Sequence, residues 1–403
     1  MAVEVQAFYE RYPYPPPIDD LDAYRRRWQD RERRRADFHL FWPTRPYRED
    51  YSILVAGCGT SQAAKYAIRW PTAHITGIDF SATSVEHTEQ LKRKYSLDNL
   101  RVHQLPLEQA GDLEKTFDQV ICTGVLHHLP DPAAGLRALR SVLEPRGAMH
   151  LMVYAPYGRT GIYMLQEFCR RVGFRAPEGD IRELLAALKA LPATHPLARL
   201  LQEARDFRSE AGLADALLHP QDRAYSVPQL LEFLSANGFT FGRWLRQAPY
   251  TLQAGLMSQI PRALRAGQLP LEDQYAAAEL FRGNMMRHVA IAYRDDDAGV
   301  PRIRFDDDAW LGYIPIRGPD TVTVREGLPA GIAAILINRA HSHTDICFPI
   351  RPEEMQLLEA IDGKRTIREM LAIEAERERD AARSLFERLW WHDQVVFATP
   401  EPL

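Results

Sequence analysis

The segment Tyr51–Ala64 constrains the fold more than any other part of the 403-residue chain. It reads Tyr-Ser-Ile-Leu-Val-Ala-Gly-Cys-Gly-Thr-Ser-Gln-Ala-Ala, so a run of β-forming residues stops at two glycines and continues directly into helix-forming residues. This order predicts a buried strand, a tight turn and a helix N-terminus, as in α/β proteins that bind nucleotides. Gly57 and Gly59 let the backbone approach a ligand where a Cβ would clash.

A second predicted strand, Ile75–Asp79, ends in an acid twenty residues after Gly59. A carboxylate at this distance is suited to the two hydroxyls of a ribose. The sixth position of the G-x-G-x-x-G pattern is Gln62, whose amide would crowd a pyrophosphate, and the chain has no G-x-x-x-x-G-K-[ST] P-loop. The predicted ligand is therefore a nucleoside without phosphates, of which S-adenosylmethionine is the most common.

Four ordered motifs between Ser52 and Ala155 resemble those of the class I S-adenosylmethionine-dependent methyltransferases. They are Leu54–Thr60, Gly77–Asp79, Phe117–Leu129 and Leu143–Gly147. The chain departs from the family at Val55, where an acid is usual, and at Ser61, where a third glycine is common. The resemblance implies an α/β fold with a Rossmann-like seven-stranded sheet of order 3-2-1-4-5-7-6, and S-adenosyl-L-methionine as cofactor.

Cofactor contacts are expected at one edge of this sheet, because parallel strands joined by right-handed crossovers place their carboxyl ends together. The family often has an acid for the adenine amine where this chain has Pro106, so the backbone of the next residue takes that role. The predicted cofactor-binding residues are Gly57, Cys58, Gly59, Asp79, Phe80, Leu107, Gly124, Val125 and Tyr14.

The segment Phe8–Pro17 alternates aromatics and prolines and is predicted to be extended. It is either a surface arm pinned by its aromatics or a lid over the cofactor. Some bacterial methyltransferases have a similar Tyr-Pro-Tyr-Pro arm, which favours the lid. The candidate lid residues are Tyr9, Arg11, Tyr12 and Tyr14.

Methyl transfer from a sulfonium requires alignment, exclusion of water and, for a protonated nucleophile, a proton acceptor. His127 is the first candidate for that acceptor, with His128 beside it, because imidazole titrates near neutrality. The alternative is that both histidines only pack or hold the loop. The predicted substrate-contacting residues are Tyr9, Tyr154, Tyr157, Arg159 and Tyr163.

Residues 160–236 are predicted to be a helical insert that caps the crevice, with helices at Ile181–Leu191, Ala198–Glu210 and Val227–Ala236. The polar and aromatic groups around this insert are Arg208, His219, Asp222, Arg223 and Tyr225.

The chain is predicted to divide into an N-terminal arm (1–50), a methyltransferase domain (51–295) and an accessory domain (300–403), with a linker at Arg294–Gly299. The accessory domain resembles an α+β winged-helix-like module with helices near 352–361, 368–376 and 380–391 and a strand at 394–398. Its third helix mixes acidic and basic residues, which favours protein contact or a homodimer over nucleic acid.

Composition and charge limit the partners, metal sites and compartments that can be expected for this chain. A net charge of −4 gives no general attraction to nucleic acid or membrane. The four cysteines lie far apart, and His341 and His343 have no further ligands at metal spacing, so no metal site is predicted and both histidines are assigned to the surface. No signal peptide and no long apolar run is found, so the expected compartment is the cytoplasm.

The predicted function is methyl transfer to a small molecule, with O, N, C or S left open as the acceptor atom. One alternative is a protein-modifying methyltransferase that docks its target with the C-terminal module. Another is a non-catalytic binding or regulatory protein, which the missing acid at Val55 favours. Thr123–Leu126 stands where an Asn-Pro-Pro-Tyr type motif would serve methylation of a base amine, so nucleic acid is not the predicted substrate.

Overall fold

The computed structural model describes residues 8–12, 16–174, 178–195, 197, 201, 210–297, 302–371 and 376–399. The strands within these residues are β1 Ser52–Ala56, β2 His74–Asp79, β3 Leu100–Gln104, β4 Phe117–Thr123, β5 Leu143–Tyr154, β6 Phe239–Trp244, β7 Arg287–Arg294, β8 Ile314–Arg317, β9 Thr321–Val324, β10 Ala334–Asn338, β11 Phe348–Ile350 and β12 Val395–Ala398. The α-helices are α1 Asp22–Trp28, α2 Arg31–Phe41, α3 Gln62–Arg69, α4 Ala82–Tyr95, α5 Pro132–Ser141, α6 Thr160–Val172, α7 Glu178–Lys189, α8 Glu210–Leu218, α9 Val227–Ala236, α10 Pro261–Arg265, α11 Leu271–Arg282, α12 Met355–Ala360, α13 Ile367–Met370 and α14 Glu376–Trp391.

Seven strands form one sheet of order β3-β2-β1-β4-β5-β7-β6, which confirms the predicted topology. β1 lies parallel to both β2 and β4, with Val55 opposite Gly77 on one side and Ile121 on the other. β7 lies antiparallel to β5. The carboxyl ends of β1, β2, β4 and β5 therefore share one edge of the sheet.

The central strands read as continuous apolar runs because helices cover both faces of a parallel sheet. In β1, the residues from Ile53 to Ala56 are 0% exposed. The sequence predicts a turn at Glu144–Gly147 before a strand at Ala148–Ala155, and this prediction is wrong because Glu144–Gly147 is part of β5. That strand pairs with β4 from Leu143 onward, and its register shifts between Phe117 and Gln119, so the irregular start follows a bulge.

The insert after β5 is helical, with the boundaries of α9 as predicted. α7 begins and ends earlier than the predicted helix Ile181–Leu191. The predicted helix Ala198–Glu210 lies mostly outside the described residues, whereas the observed helix α8 was not predicted. Ile162, Leu184 and Leu213 belong to a buried cluster that also includes Phe8 and Tyr12 of the N-terminal arm.

The chain divides into two compact units. The first comprises Met1–Arg27, Glu49–Phe241 and Gly283–Asp297, and the second Trp28–Arg48, Gly242–Arg282 and Ala298–Leu403. The second unit therefore draws on two earlier segments in addition to the predicted range 300–403. No helix among the described residues has both the length and the apolar character needed to cross a membrane.

The second unit contains a three-stranded sheet, β11-β10-β9, and an antiparallel pair, β12-β8. Helical segments stand near the three predicted helices, and β12 is the predicted closing strand. The winged-helix assignment itself stays a prediction. The surface assignment of His341 was wrong, because its side chain is 2% exposed and its Nε2 lies 3.0 Å from Oδ2 of the buried Asp393. Asp393 sits in the turn before β12, where the sequence gives no local sign of this pairing.

Candidate functional site

The turn Gly57–Gly59 joins the ends of three strands. Gly57 and Gly59 have φ angles of +67° and +53°, which favour glycine. The N–H groups of Gly57 and Cys58 each donate to the carbonyl oxygen of Ile78 at 2.9 Å. A Cβ on Gly57 would lie 2.3 Å from Cγ2 of Val125, so the turn and the segment after β4 are in close contact.

Asp79 ends β2 directly beside this turn. Its carboxylate accepts hydrogen bonds from the N–H of Gly59 at 2.8 Å and of Ser81 at 3.0 Å. Burial raises the pKa of Asp79 to about 6, although these two hydrogen bonds lower it. A carboxylate has about four acceptor positions, so roughly two remain for further donors such as a pair of hydroxyls.

The side chain of Gln62 stands at the sixth position of the G-x-G-x-x-G pattern, where a dinucleotide-binding protein has its third glycine. Gln62 is the first residue of α3, and its Nε2 donates to Oγ1 of Thr123 at the end of β4, at 2.6 Å. The amide is therefore held between β1 and β4, at the helix N-terminus where a pyrophosphate would otherwise bind.

The other predicted cofactor residues lie around this edge. Phe80 follows Asp79, and Gly124 follows β4 with a φ of +81°. Leu107 is buried and begins a 3₁₀ helix, Leu107–Leu113. Tyr14 lies outside the described residues.

The N-terminal arm contacts this edge through Tyr9 and Glu10. Residues 8–11 are helical rather than extended, which corrects the prediction. The Glu10 carboxylate accepts from the N–H of Ala82 at 2.7 Å and of Thr83 at 3.2 Å, at the N-terminus of α4. The Tyr9 ring centroid lies 6.0 Å from that of Phe80 and 6.4 Å from that of His128. The arm thus packs against residues that follow β2 and β4, and its role as a lid stays a prediction.

Replacing Glu10 with alanine is expected to lower the free energy of unfolding by about 1 kcal/mol, because two N–H groups at the start of α4 lose their acceptor and the favourable charge at a helix N-terminus is lost. Hydrogen exchange at Ala82 and Thr83 should accelerate at the same time. Glu232→Ala, at an exposed position of α9, is the control. Unchanged exchange at Ala82 and Thr83 would contradict the capping role.

The rings of three histidines and a tyrosine pack together beneath the arm. The ring centroids of His127 and Tyr154 are 3.9 Å apart, and those of His128 and His219 are 4.0 Å apart. Burial lowers the pKa of His128 to about 4 and of His219 to about 2, and it lowers the pKa of His127 well below its ordinary value. All three imidazoles are therefore neutral at pH 7.

The backbone of Gln221 sets opposite tautomers in two of these rings. Nδ1 of His128 lies 2.8 Å from the Gln221 carbonyl oxygen, which only accepts, so this Nδ1 carries the proton. The Gln221 N–H donates to Nδ1 of His219 at 3.0 Å, so the proton of His219 is on Nε2. His128 therefore presents a lone pair at Nε2, and His219 presents an N–H there.

His128, Asp215 and His219 are also the one set of possible metal ligands found among the described residues, with one ligand atom of each within 4.8 Å of the others. A metal needs a lone pair from every ligand. Both Nδ1 atoms are engaged by Gln221, and Nε2 of His219 is protonated. The tautomers therefore do not suit a metal centre.

Arg159 and Asp222 form a buried ion pair next to the histidines. Arg159 Nη2 lies 3.2 Å from Asp222 Oδ2, and both side chains are 3% exposed. Arg159 Cζ lies 3.5 Å from the ring centroid of Tyr154, and its Nε donates to the Tyr163 hydroxyl at 3.3 Å. Three predicted substrate residues thus share one network, whereas Tyr157 is 40% exposed.

Sequence reasoning missed the residues that hold the histidines in place. Asp215 is 3% exposed and accepts from the Tyr9 hydroxyl at 3.0 Å. Gln221 Nε2 donates to the carbonyl oxygen of Leu129 at 2.6 Å, which ties the segment after α8 to the turn after β4. The run His219-Pro-Gln-Asp222 is a polar break between helices, but nothing local links it to a turn more than ninety residues earlier.

A family model described as a methyltransferase domain matches residues 54–149. This range contains the glycine turn, Asp79 and the histidine-bearing turn after β4, within a sheet of the expected order. Residues 54–149 therefore carry a methyltransferase domain. The matched range thus includes Gly57, Asp79 and Val125.

Relatives extend the similarity beyond this domain. An uncharacterized protein of Synechococcus sp. is 36% identical over 250 residues, 59% of this chain and 58% of that protein. A ubiquinone biosynthesis O-methyltransferase of Pseudomonas paraeruginosa is 31% identical over 144 residues, 33% of this chain and 60% of that protein. The chain thus spans about three fifths of the length of these curated relatives.

Among solved structures, PKMT2 from Rickettsia typhi in complex with AdoHcy has a TM-score of 0.61 at 15% identity. The match covers 96% of this chain and 77% of that chain. At this level of identity the likeness concerns the fold, and it includes parts of the chain outside residues 54–149.

Proposed function

We propose that this protein is an S-adenosylmethionine-dependent methyltransferase that acts on a small molecule. The observation that carries the proposal is the buried Asp79 carboxylate beside the Gly57–Gly59 turn. It is fixed by two backbone N–H groups and has acceptor positions left for the ribose hydroxyls. Both glycines lie in a domain of the matching family.

The position of Gln62 supports a cofactor without phosphates. Its amide is held by Thr123 at the N-terminus of α3, where a dinucleotide would place its pyrophosphate. NAD and FAD are therefore poor fits. S-adenosylmethionine has a ribose for Asp79 and no phosphate at that position.

Burial around the histidines supports a small acceptor. His127, His128 and Asp215 are 0%, 4% and 3% exposed, respectively, and Tyr9 of the arm contacts both Asp215 and the His128 ring. A closed site excludes water from the reacting atoms. A peptide chain would require a wider groove than a compact molecule admitted by movement of the arm.

When bound, S-adenosylmethionine supplies an electrophilic methyl group on a sulfonium. The chain aligns the reactants, excludes water from the site and provides a proton acceptor. Asp79 and the glycine turn orient the nucleoside, the arm and the insert exclude water, and the lone pair on Nε2 of His128 takes the acceptor proton. Arg159 and Tyr154 shape the wall beside His127.

The test uses S-adenosylmethionine with a labelled methyl group and a cell extract separated into low-mass and protein fractions. We expect the label in a low-mass product that is heavier by one methyl group by mass spectrometry. Label in the protein fraction would favour a protein-modifying enzyme. Cofactor binding without transfer to either fraction would favour a non-catalytic binder.

We also propose that residues 300–403 form an accessory module that pairs two copies of the chain. Its third helix carries both acidic and basic side chains, which suits contact with protein better than nucleic acid. Light scattering after size-exclusion chromatography is expected to give twice the chain mass of 46.1 kDa. A monomer at micromolar concentration would contradict the pairing.

A further inference from the structure

We propose that His128 and His219 form a paired acceptor and donor that selects a hydroxyl group as the methyl acceptor. Nε2 of His128 accepts the hydroxyl proton, and Nε2–H of His219 donates to the hydroxyl oxygen. This inference rests on the proposed methyltransferase function and specifies the acceptor that the function leaves open.

The first support is that one residue orients both rings. The carbonyl and the N–H of Gln221 bind Nδ1 of His128 and Nδ1 of His219, at 2.8 and 3.0 Å. Gln221 is itself fixed to Leu129 by its side-chain amide. Opposite tautomers in two adjacent rings therefore follow from a single peptide segment, which acts as the positioning element.

The second support is an unsatisfied donor. Nε2 of His219 is buried and has no hydrogen-bond partner among the described residues. His219 is 9% exposed, and its ring contacts those of Phe8, Tyr9 and His128. A buried N–H without an acceptor is costly, so this group is poised for a ligand acceptor.

The number of lone pairs on the reacting atom identifies the chemical class of the methyl acceptor. A hydroxyl oxygen has two lone pairs and one proton, so it can attack with one pair, accept from His219 with the other and donate to His128. A neutral amine has a single lone pair, which the attack consumes, and His219 is left unpaired. A carboxylate has no proton for His128, and a thiol sulfur accepts only weakly.

The reaction balances with the groups present. The hydroxyl oxygen forms a bond to the methyl carbon, the carbon–sulfur bond breaks, and its electron pair remains on sulfur. The hydroxyl proton moves to Nε2 of His128. The products are a methyl ether and S-adenosylhomocysteine, and the imidazolium releases its proton readily because burial lowers the pKa of His128 to about 4.

The first experiment measures the tautomers without any acceptor. Long-range ¹H–¹⁵N spectra of protein labelled at histidine distinguish the two neutral tautomers by nitrogen shift. We expect the Nδ1–H form for His128 and the Nε2–H form for His219 at pH 7, with signals assigned by their loss in His128→Asn and His219→Gln. The same tautomer in both rings, or a stoichiometric metal found by mass spectrometry, would overturn the proposal.

The second experiment compares two replacements of His219 in the labelled-methyl assay. His219→Phe keeps a ring but loses the donor, and kcat/KM is expected to fall about ten- to hundredfold. His219→Gln keeps an amide N–H and should retain most of the activity. Equal losses in both variants would indicate a packing role only. His74→Gln, at the exposed start of β2, is the matched control.

Removal of the base has a larger effect. His128→Phe is expected to lower kcat by about 10²–10⁴-fold. Calorimetry with S-adenosylhomocysteine should give an affinity within twofold of wild type for the His128 and His219 variants. Retained cofactor binding with lost turnover places the defect at the acceptor, whereas lost binding would contradict the assignment.

The chemistry of the labelled product shows whether the methyl acceptor is a hydroxyl group. Hydriodic acid releases the methyl group of an ether as methyl iodide under conditions that leave N-methyl groups intact. Label that survives mild alkaline hydrolysis, which removes methyl esters, and is then volatile supports a hydroxyl acceptor; any other result overturns the hydroxyl acceptor while leaving methyl transfer itself established. A wild-type protein that binds cofactor and transfers no label fails at the proposed function, and the inference fails with it.

Discussion

Asp222→Ala is expected to lower the free energy of unfolding of the first unit by about 3–5 kcal/mol, because it leaves the Arg159 guanidinium charged and buried without its partner. Both side chains are 3% exposed, and Asp222 also accepts from Gln166 Nε2 at 3.0 Å. Alanine therefore removes an ion pair and a hydrogen bond together. Chemical denaturation followed by circular dichroism measures the loss.

Two further variants separate the charge effect from loss of volume. Arg159→Met combined with Asp222→Leu removes both charges and should recover most of the stability. Asp295→Ala breaks a partly exposed pair with Arg140 and should cost less than about 1 kcal/mol. A loss below about 1 kcal/mol in Asp222→Ala would show that Arg159 finds water or another partner, and the closed site would be refuted.

Acid is expected to destabilise the first unit through its buried histidines. His127, His128 and His219 stay neutral in the folded state, since burial keeps the pKa of His128 at about 4 and of His219 at about 2 and that of His127 well below its ordinary value. In the unfolded chain each has a pKa of about 6.5 and binds a proton as the pH falls. The stability that they contribute is therefore present above about pH 6.5 and is lost toward pH 4.

The expected size is about 2 kcal/mol each for His128 and His219 between pH 8 and pH 5, and His127 acts in the same direction. Asp79 acts in the opposite direction, because its folded pKa of about 6 makes protonation favour folding, and it offsets about 1 kcal/mol. The positive charge of Arg159 opposes protonation of His127 and His128, whereas the negative charge of Asp222 favours protonation of His219.

Denaturation curves at pH 8 and pH 5 test this expectation. His219→Gln should reduce the difference by about 2 kcal/mol, and His74→Gln, at an exposed position, is the control substitution. An unaltered difference in His219→Gln would mean that the ring is protonated in the folded protein, contrary to the tautomer assigned from Gln221.

The sequence was sufficient to predict those features of the fold and the site that are set by residues adjacent in the chain. The strand, turn and helix at Tyr51–Ala64 and the acid at Asp79 are set by adjacent residues, and the sheet order follows from the family that these motifs resemble. The bulge at the start of β5 was missed because a Glu-Pro-Arg-Gly run is also typical of a turn. His341 was misplaced because its partner Asp393 lies fifty-two residues away.

The arrangement of His128 and His219 could not be predicted from residues adjacent in the sequence. His128 was a candidate from its strand position, but its proposed function depends on a tautomer set by the Gln221 carbonyl, 93 residues later. The helix that carries Asp215 was not predicted, and Tyr9 was expected on an extended arm rather than a helical one. Each of these contacts is tertiary, so no window of sequence contains both partners.

The most direct test of the account is calorimetric titration with S-adenosylhomocysteine, in wild type and in Asp79→Ala, at pH 8 where the carboxylate is ionised. We expect saturable binding of one ligand per chain in wild type and an affinity at least tenfold to a hundredfold weaker in Asp79→Ala, because hydrogen bonds from the ribose to a charged acceptor are lost. Asp98→Ala, at an exposed position, should bind like wild type. No heat from the wild-type protein, or equal affinity in Asp79→Ala, would contradict the placement of the cofactor at the ends of β1 and β2.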